Sequence, residues 1–407
     1  MVSRNINLSK FLSKRTRFMR ASEIRELLKW ATEPGVISFG GGMPDPRYFP
    51  YDDIREITDY VIKEKGDKAF QYTKTEGVDE LKEEILKFMS KRGTKVENIN
   101  QILITSGSQQ ALEILARIFM DPGDLVVVEL PTYLAAIQAF RVYEPTFVGI
   151  PMDDDGMRTD VLEEKLKKIY SEGKSVKLVY TVPTCQNPAG ITMSNDRRKH
   201  LLELASRYDF LIIEDDPYSY FLFEDIDYKS IKSMDTEGRV IYLSTFSKIL
   251  IPGLRLGWAA ASEEIIAKMA LAKQAIDLCS PAFCQYIAAE ALRRGVVDKQ
   301  LPILKKVYKH KRDLMLEALE RYFPEGCKWT RPVGGMFIFA YLPEKIDTTK
   351  MLEKAKEKKI AYVPGRSFFV DGSGWNTMRL NFTFVAEDKI EEGIKRLASV
   401  IKEELGA

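Results

Sequence analysis

The sequence predicts an α/β fold: a mostly parallel mixed sheet with helices on both faces, joined to a smaller α+β domain. Between about residues 100 and 260, short apolar runs alternate with helical patterns. That alternation is the mark of strands linked by crossover helices and buried on both faces. Beyond residue 262 it stops: helical patterns fill 262–321, and three strand-like runs follow, separated by a helix. The chain has 407 residues, too many for one small core and suited to a large domain plus a smaller one. The expected division is an arm and part of the small domain over 1–45, a large domain over 46–290 and a small domain over 291–407.

The elements follow in order. Ile102–Thr105 is a short apolar run, followed by Ser106-Gly107-Ser108 and a helical stretch over 109–119. Leu125–Leu130 reads as a buried strand and 146–150 as another. A charged amphipathic helix spans 162–170, a strand 178–182 and a helix 197–208. The strand at 210–213 runs into Glu214-Asp215-Asp216-Pro217-Tyr218, and the strand at 240–243 into Ser244-Thr245-Phe246-Ser247-Lys248. A further apolar segment covers 255–260. The late strand-like runs are 336–341, 361–363 and 378–384, and no internal repeat is visible.

Composition removes whole classes of function. With 61 Lys and Arg against 59 Asp and Glu, the net charge of +2 makes no electrostatic case for nucleic acid or a membrane surface. The first 20 or so residues carry Arg4, Lys10, Lys14, Arg15, Arg17 and Arg20 and read as an arm. They lack the apolar stretch of a secretory signal, and no run reaches transmembrane length, so the cytoplasm is the expected location. Cys185, Cys279, Cys284 and Cys327 form no C-x-x-C pair, and two histidines cannot complete a zinc cluster with them. No metal is expected, and the thiols read as buried and reduced. His200 follows Asp196-Arg197-Arg198-Lys199, and His310 stands among Lys305, Lys306, Lys309 and Lys311, so both read as solvated helix positions. Ser-His-Asp, Cys-His and H-E-x-x-H chemistry therefore lack material. The acid–base catalyst must be Lys, Tyr, Asp or Glu.

In open α/β sheets, ligands bind beyond the carboxyl ends of the strands. The first strand end offers Ser106-Gly107-Ser108-Gln109-Gln110 opening a helix, whose free N–H groups suit an anion or serve only as a helix cap. Pro183-Thr184-Cys185-Gln186-Asn187-Pro188-Ala189-Gly190 follows the strand at 178–182, an acidic run with Tyr218 follows the next, and Lys248 closes the last, with Arg255 seven residues on. Taken singly these are a turn, an acidic loop and a surface lysine. Together they match what pyridoxal 5′-phosphate (PLP) requires: a phosphate cradle, a carboxylate for the pyridine nitrogen, donors to the ring oxygen and a lysine to carry it covalently.

Seven motifs extend the match along the chain: S-F-G-G-G-M-P-D-P (38–46), Q-Y-T-K-T-E-G (71–77), T-S-G-S-Q-Q-A-L (105–112), Q-N-P-A-G (186–190), E-D-D-P-Y (214–218), S-T-F-S-K (244–248) and P-G-L-R-L-G (252–257). With them the chain resembles the class I/II aminotransferases of PLP fold type I, in the kynurenine/2-aminoadipate aminotransferase branch. The resemblance runs from the S-E-I-R-E-L-L segment (22–28) to Arg379.

The resemblance implies the following roles. Lys248 carries the cofactor, and Asp215, three residues before Tyr218, pairs with the pyridine nitrogen. Asn187 and Tyr218 hydrogen-bond the ring oxygen, and Tyr133 stacks on the ring. Ser108, Gln109, Thr245, Ser247 and Arg255 cradle the phosphate. Tyr72 reaches a phosphate in the neighbouring subunit, so a homodimer with shared sites is implied. Arg379 clamps the substrate α-carboxylate, Gly42 lies under the substrate and Arg25 meets a distal carboxylate. Ala189 departs from the family, where Thr is common. The implied reaction is ping-pong transamination from kynurenine, 2-aminoadipate or aromatic amino acids to 2-oxoglutarate or a similar 2-oxo acid. Lys248 acts as the base, its basicity reduced by the cationic site. A β-lyase or decarboxylase on the same fold, a PLP-sensing regulator and a protein with a dead site are the alternatives. Regulators of that kind carry a DNA-binding domain ahead of the aminotransferase-like part, and Tyr72 already belongs to the latter.

Overall fold

A computed structural model describes residues 6–19 and 29–406. Its main sheet has eight strands in the spatial order Ile102–Thr105, Gly257–Ala260, Val240–Thr245, Leu211–Asp215, Val176–Thr181, Leu125–Leu130, Thr146–Asp153 and Gly156–Met157. Gly257–Ala260 pairs antiparallel with both its neighbours, and Gly156–Met157 is antiparallel to Thr146–Asp153. The other six strands therefore run in one direction, as a mostly parallel sheet requires. The carboxyl ends of the strands finishing at Thr105, Thr245, Asp215, Thr181 and Leu130 lie along one edge. The strand that runs against them starts there, just after Arg255.

Successive residues of these strands point to opposite faces, and both faces are buried. Val126, Val128, Leu178, Tyr180, Ile213 and Leu243 share a core with helices Ser108–Phe119, Leu134–Arg141 and Glu263–Asp277. Val127, Val179 and Ile212 join the other core with helices Thr159–Ser171 and Asn195–Tyr208. A four-stranded antiparallel sheet in the order Lys328–Trp329, Phe337–Tyr341, Thr377–Asn381 and Val363–Pro364 lies in the C-terminal third. Ile37–Ser38 pairs in parallel with Ile360–Ala361, so early chain meets late chain there.

Several boundaries differ from expectation. The strands read as 210–213 and 240–243 run on to Asp215 and Thr245, because their polar ends are also buried and paired. The helical region 262–321 is three helices, Glu263–Asp277, Ala282–Arg293 and Val296–Tyr322, separated at Pro281 and at left-handed Gly295 (φ +69°). The run 361–363 splits between two sheets, since Tyr362 separates Ile360–Ala361 from Val363–Pro364. Lys248 sits in a short helical turn, Phe246–Ile249, rather than on an open loop. Helices Tyr51–Ala69, Asp79–Ser90, Leu134–Arg141 and Glu387–Leu405 add to those expected. His310 is exposed, but His200 is half-buried, with Nδ1 3.0 Å from Thr159 Oγ1. All four cysteines are free, and only Cys185 is buried. Among the described residues, no helix is long and apolar enough to cross a membrane.

Candidate active site

A cavity of about 280 Å³ opens at the strand-end edge. Its lining includes Gly42, Ser108, Gln109, Tyr133, Asn187, Asp215, Tyr218, Thr245, Ser247, Lys248, Arg255 and Arg379, drawn from segments up to 337 residues apart. Two residues singled out in the sequence are not in it. Tyr72 is 79% exposed, on the surface of the single chain. Arg25, with the whole 22–28 segment, lies outside the described residues.

One end of the cavity suits an anion. Helix Ser108–Phe119 begins there, and its first-turn N–H groups have no acceptor within the helix. Gly107 precedes it at φ +77°, where a Cβ would stand 2.8 Å from Arg255 Nη2. Register places Thr105 and Thr245 on either side of Gly257. A Cβ on Gly257 would meet Ser108 N at 2.8 Å, so this glycine lets the helix start lie against the sheet. Arg255 Nη1 donates to Ser247 Oγ at 3.3 Å, and Thr245 Oγ1 donates to Ser247 Oγ at 3.0 Å. Gln109 gives its side-chain amide to the Ala135 carbonyl at 3.0 Å, which leaves its backbone N–H as the group facing the anion end.

The strand period decides between the two adjacent aspartates. Asp215 follows Ile213 onto the face of Tyr180, whose hydroxyl donates to Asp215 Oδ2 at 2.9 Å. Asp215 Oδ1 is buried with no hydrogen-bond partner among the described residues. Burial pushes this carboxyl up to about 7, with Asp216 and Glu129 adding to the rise and the Tyr180 hydroxyl opposing it. Asp216 is turned away: it accepts from Tyr228 and Tyr242 hydroxyls, each at 2.9 Å, and from Ser219 N at 3.0 Å. Glu214, on the opposite face, accepts from the N–H groups of Ile231 and Lys232. A protonated ring nitrogen fits the one orphaned oxygen of this trio.

Two cations, Arg379 buried and Lys248 half-buried, face the same space. Lys248 Nζ donates to Gly42 O at 2.6 Å, and its pKa falls to about 8. Burial is the largest cause, with Arg379 and Arg255 second, so the cationic surroundings expected from the sequence are the lesser part. Arg379 is 2% exposed. It donates to Asn187 Oδ1 at 2.9 Å and Gly40 O at 3.1 Å, and its Nε has no partner among the described residues. Its acceptors among the described residues are all neutral, so a substrate carboxylate would give it an anion. Asn187 Nδ2 donates to Tyr218 OH at 3.3 Å, which sets both beside the cavity. Burial raises the phenols of Tyr133, to about 12, and Tyr218, so both stay protonated.

Sequence reasoning missed Phe337 and Tyr180. Phe337 lies 4.3 Å from the Arg379 guanidinium, ring centroid to Cζ, and lines the cavity. In an apolar strand no signal distinguishes it from core. Tyr180 stands in the buried strand Val176–Thr181 and serves Asp215 on the neighbouring strand, 35 residues on. An end suited to an anion, a carboxylate and an arginine without counter-ions among the described residues, and a half-buried amine share one cavity, and PLP with an amino acid fits that set.

Residues 44–397 match the family model for aminotransferase class I and II. The chain is 53% identical to the aromatic-amino-acid aminotransferase 1 of Thermococcus litoralis, covering 98% of this chain and 96% of the relative. It is 38% identical to the 2-aminoadipate transaminase of Thermus thermophilus, covering 94% of each. Its fold matches the crystal structure of Pyrococcus horikoshii kynurenine aminotransferase with a TM-score of 0.95, 54% identity and coverage of 98% and 99%. This chain therefore belongs to the class I and II aminotransferases, enzymes of PLP fold type I.

Proposed function

We propose that the chain transfers an amino group from kynurenine, 2-aminoadipate or aromatic amino acids to 2-oxoglutarate or a similar 2-oxo acid, with PLP held by Lys248. The observation that carries this is one cavity at the strand-end edge lined by the Lys248 amine, the orphaned Asp215 oxygen and the Arg379 guanidinium. The substrate names come from relatives: Thermococcus litoralis for aromatic amino acids, Thermus thermophilus for 2-aminoadipate and Pyrococcus horikoshii for kynurenine.

Bound PLP supplies an electron sink that makes the α-proton of an attached amino acid removable. The chain's own residues do the rest. Asp215 holds the proton on the ring nitrogen by opposite charge at short range. Ser108, Gln109, Thr245, Ser247 and Arg255 bind the phosphate, Asn187 and Tyr218 orient the ring oxygen, and Tyr133 covers one ring face. Arg379 grips the α-carboxylate in a bidentate pair above Gly42. That grip would fix the substrate's torsion at Cα, which decides whether the proton or CO₂ is lost. Lys248 would hold the cofactor until the substrate amine displaces it, and its freed Nζ would then serve as the base that accepts and redelivers the α-proton. With a pKa near 8, a useful fraction of the amine is free at neutral pH. Water would release the oxo acid and leave the amino group on the cofactor, and a second oxo acid would take that group up by the reverse course.

The same reading places Tyr72 at the phosphate of a partner subunit in a homodimer. The 79% exposure of Tyr72 and 67% exposure of Phe70 on the single chain accord with this. It also keeps the division at 1–45, 46–290 and 291–407, the cytoplasmic location and the role of Arg25 toward a distal carboxylate. A panel of amino donors with 2-oxoglutarate, read by formation of the matching oxo acids and loss of the PLP absorbance band, tests it. Release of pyruvate or CO₂ without oxo-acid formation would overturn it.

A further inference from the structure

Both cations of the site rest on a glycine run that has no side chains by which to be held. Gly40 O accepts from Arg379 Nη2 at 3.1 Å, and Gly42 O accepts from Lys248 Nζ at 2.6 Å. Glycine backbones are intrinsically mobile, so these carbonyls stay in place only if the run is fastened at its ends. The upstream end is tied by backbone: Phe39 N donates to Ala361 O and Phe39 O accepts from Asn381 N, each at 2.8 Å.

The downstream end is tied differently. Helix Val296–Tyr322 presents Tyr308 and Lys311, three residues apart on one face. Tyr308 OH accepts from Asp45 N at 3.2 Å. Lys311 Nζ donates to Asp45 Oδ2 at 2.7 Å and to Thr383 O at 2.6 Å. Thr383 Oγ1 in turn donates to Met43 O at 3.0 Å. The side chains of Lys311 and Asp45 are 0% and 1% exposed. Burying two charges is costly, and packed apolar residues would serve stability as well. What an ion pair adds is direction, because it admits one placement of the carboxylate.

We propose that Lys311 and Asp45 are positioning residues that hold the Gly40–Gly42 run where its Gly40 and Gly41 carbonyls, 3.1 and 3.5 Å from Arg379 Nη2, orient that guanidinium for the substrate carboxylate. The inference rests on Arg379 being that clamp.

The test is a double-mutant cycle in the cofactor-loaded enzyme with Lys311→Met and Arg379→Lys, read by calorimetric binding of 3-phenylpropionate, an acid with no amine to react. Lys311→Met leaves Asp45 its second partner, Arg47 Nε at 2.9 Å. Lys311→Met is expected to weaken binding about tenfold, and to raise KM for phenylalanine by a similar factor with kcat within about threefold. In the Arg379→Lys background the same change should cost less than about twofold, since the group being oriented is gone. Lys311→Gln, which keeps a donor toward Thr383 O, should show the same pattern at smaller size. Unchanged binding in Lys311→Met, or effects that simply add, would overturn the proposal while leaving the clamp intact. Unchanged binding in Arg379→Lys would instead remove the clamp reading, and the proposal with it. Failure of both Lys311 variants to fold would assign the pair to stability and also overturn it.

Discussion

Replacing Asp215 by Asn should stabilise the protein freed of cofactor while abolishing its activity. The Asp215 carboxyl is fully buried, has one donor in Tyr180 and leaves Oδ1 orphaned. Burial, the largest cause, raises its pKa from 3.8 to about 7. A carboxyl that holds its proton more tightly in the folded than in the unfolded chain makes stability fall as pH rises through that interval. The loss starts above the unfolded value near 3.8 and is complete above about 7. At about 1.4 kcal/mol per pH unit this is about 4 kcal/mol at pH 8.5. Asn keeps the acceptor for Tyr180 and carries no charge, so it escapes the loss. With about 2.1 cal/mol/K of unfolding entropy per residue over 407 residues, the gain is about 5 °C in Tm. The assay is thermal unfolding of both cofactor-free proteins between pH 4.5 and 8.5, followed by reloading with PLP. The variant should unfold at the higher temperature at pH 8.5, and the gap should close toward pH 4.5. PLP should then raise the Tm of wild type more than that of the variant, because only wild type offers the ring nitrogen an anion. A cofactor-free Asp215→Asn protein that melts no higher than wild type at pH 8.5 would refute the reasoning.

Lys248→Ala should bind PLP without the absorbance band of the lysine-bound form and show almost no turnover, and normal turnover would remove Lys248 from its role. Mixing Tyr72→Phe chains, once shown to be impaired, with Lys248→Ala chains should restore part of the activity, because some hybrid sites receive both wild-type residues. Sedimentation showing a monomer at assay concentration would rule out that sharing. Arg25→Gln should lower kcat/KM for 2-aminoadipate and glutamate about tenfold to a hundredfold, the worth of roughly 1.5–3 kcal/mol for a shielded charge-assisted bond. Phenylalanine and kynurenine should change little, and equal loss in both classes would give Arg25 a structural role instead.

What the sequence by itself determined was periodicity and local chemistry. Alternating apolar runs and helical patterns between 102 and 260 are enough to require a doubly covered sheet, because strands buried on both faces cannot be polar. Each strand end announces its own group, Ser108, Asn187, Asp215 or Lys248, within a few residues of its apolar run. Where strands end in polar residues, as at Asp215 and Thr245, apolarity stops before the hydrogen-bonded ladder does, so the boundaries came out short. Tertiary structure alone decided matters that depend on residues far apart in the chain. The reversed strand Gly257–Ala260 brings Arg255 to the edge where the parallel strands end. Phe337 caps Arg379, and Tyr180 reaches Asp215 across neighbouring strands. Lys311, 266 residues from Asp45, ends in a buried pair with it, where one strongly basic helix gives no sign which lysine turns inward. Lys248 shows the same limit: its immediate sequence neighbours are neutral, and the folded interior removes the water and brings Arg379 and Arg255 to it, which lowers its basicity.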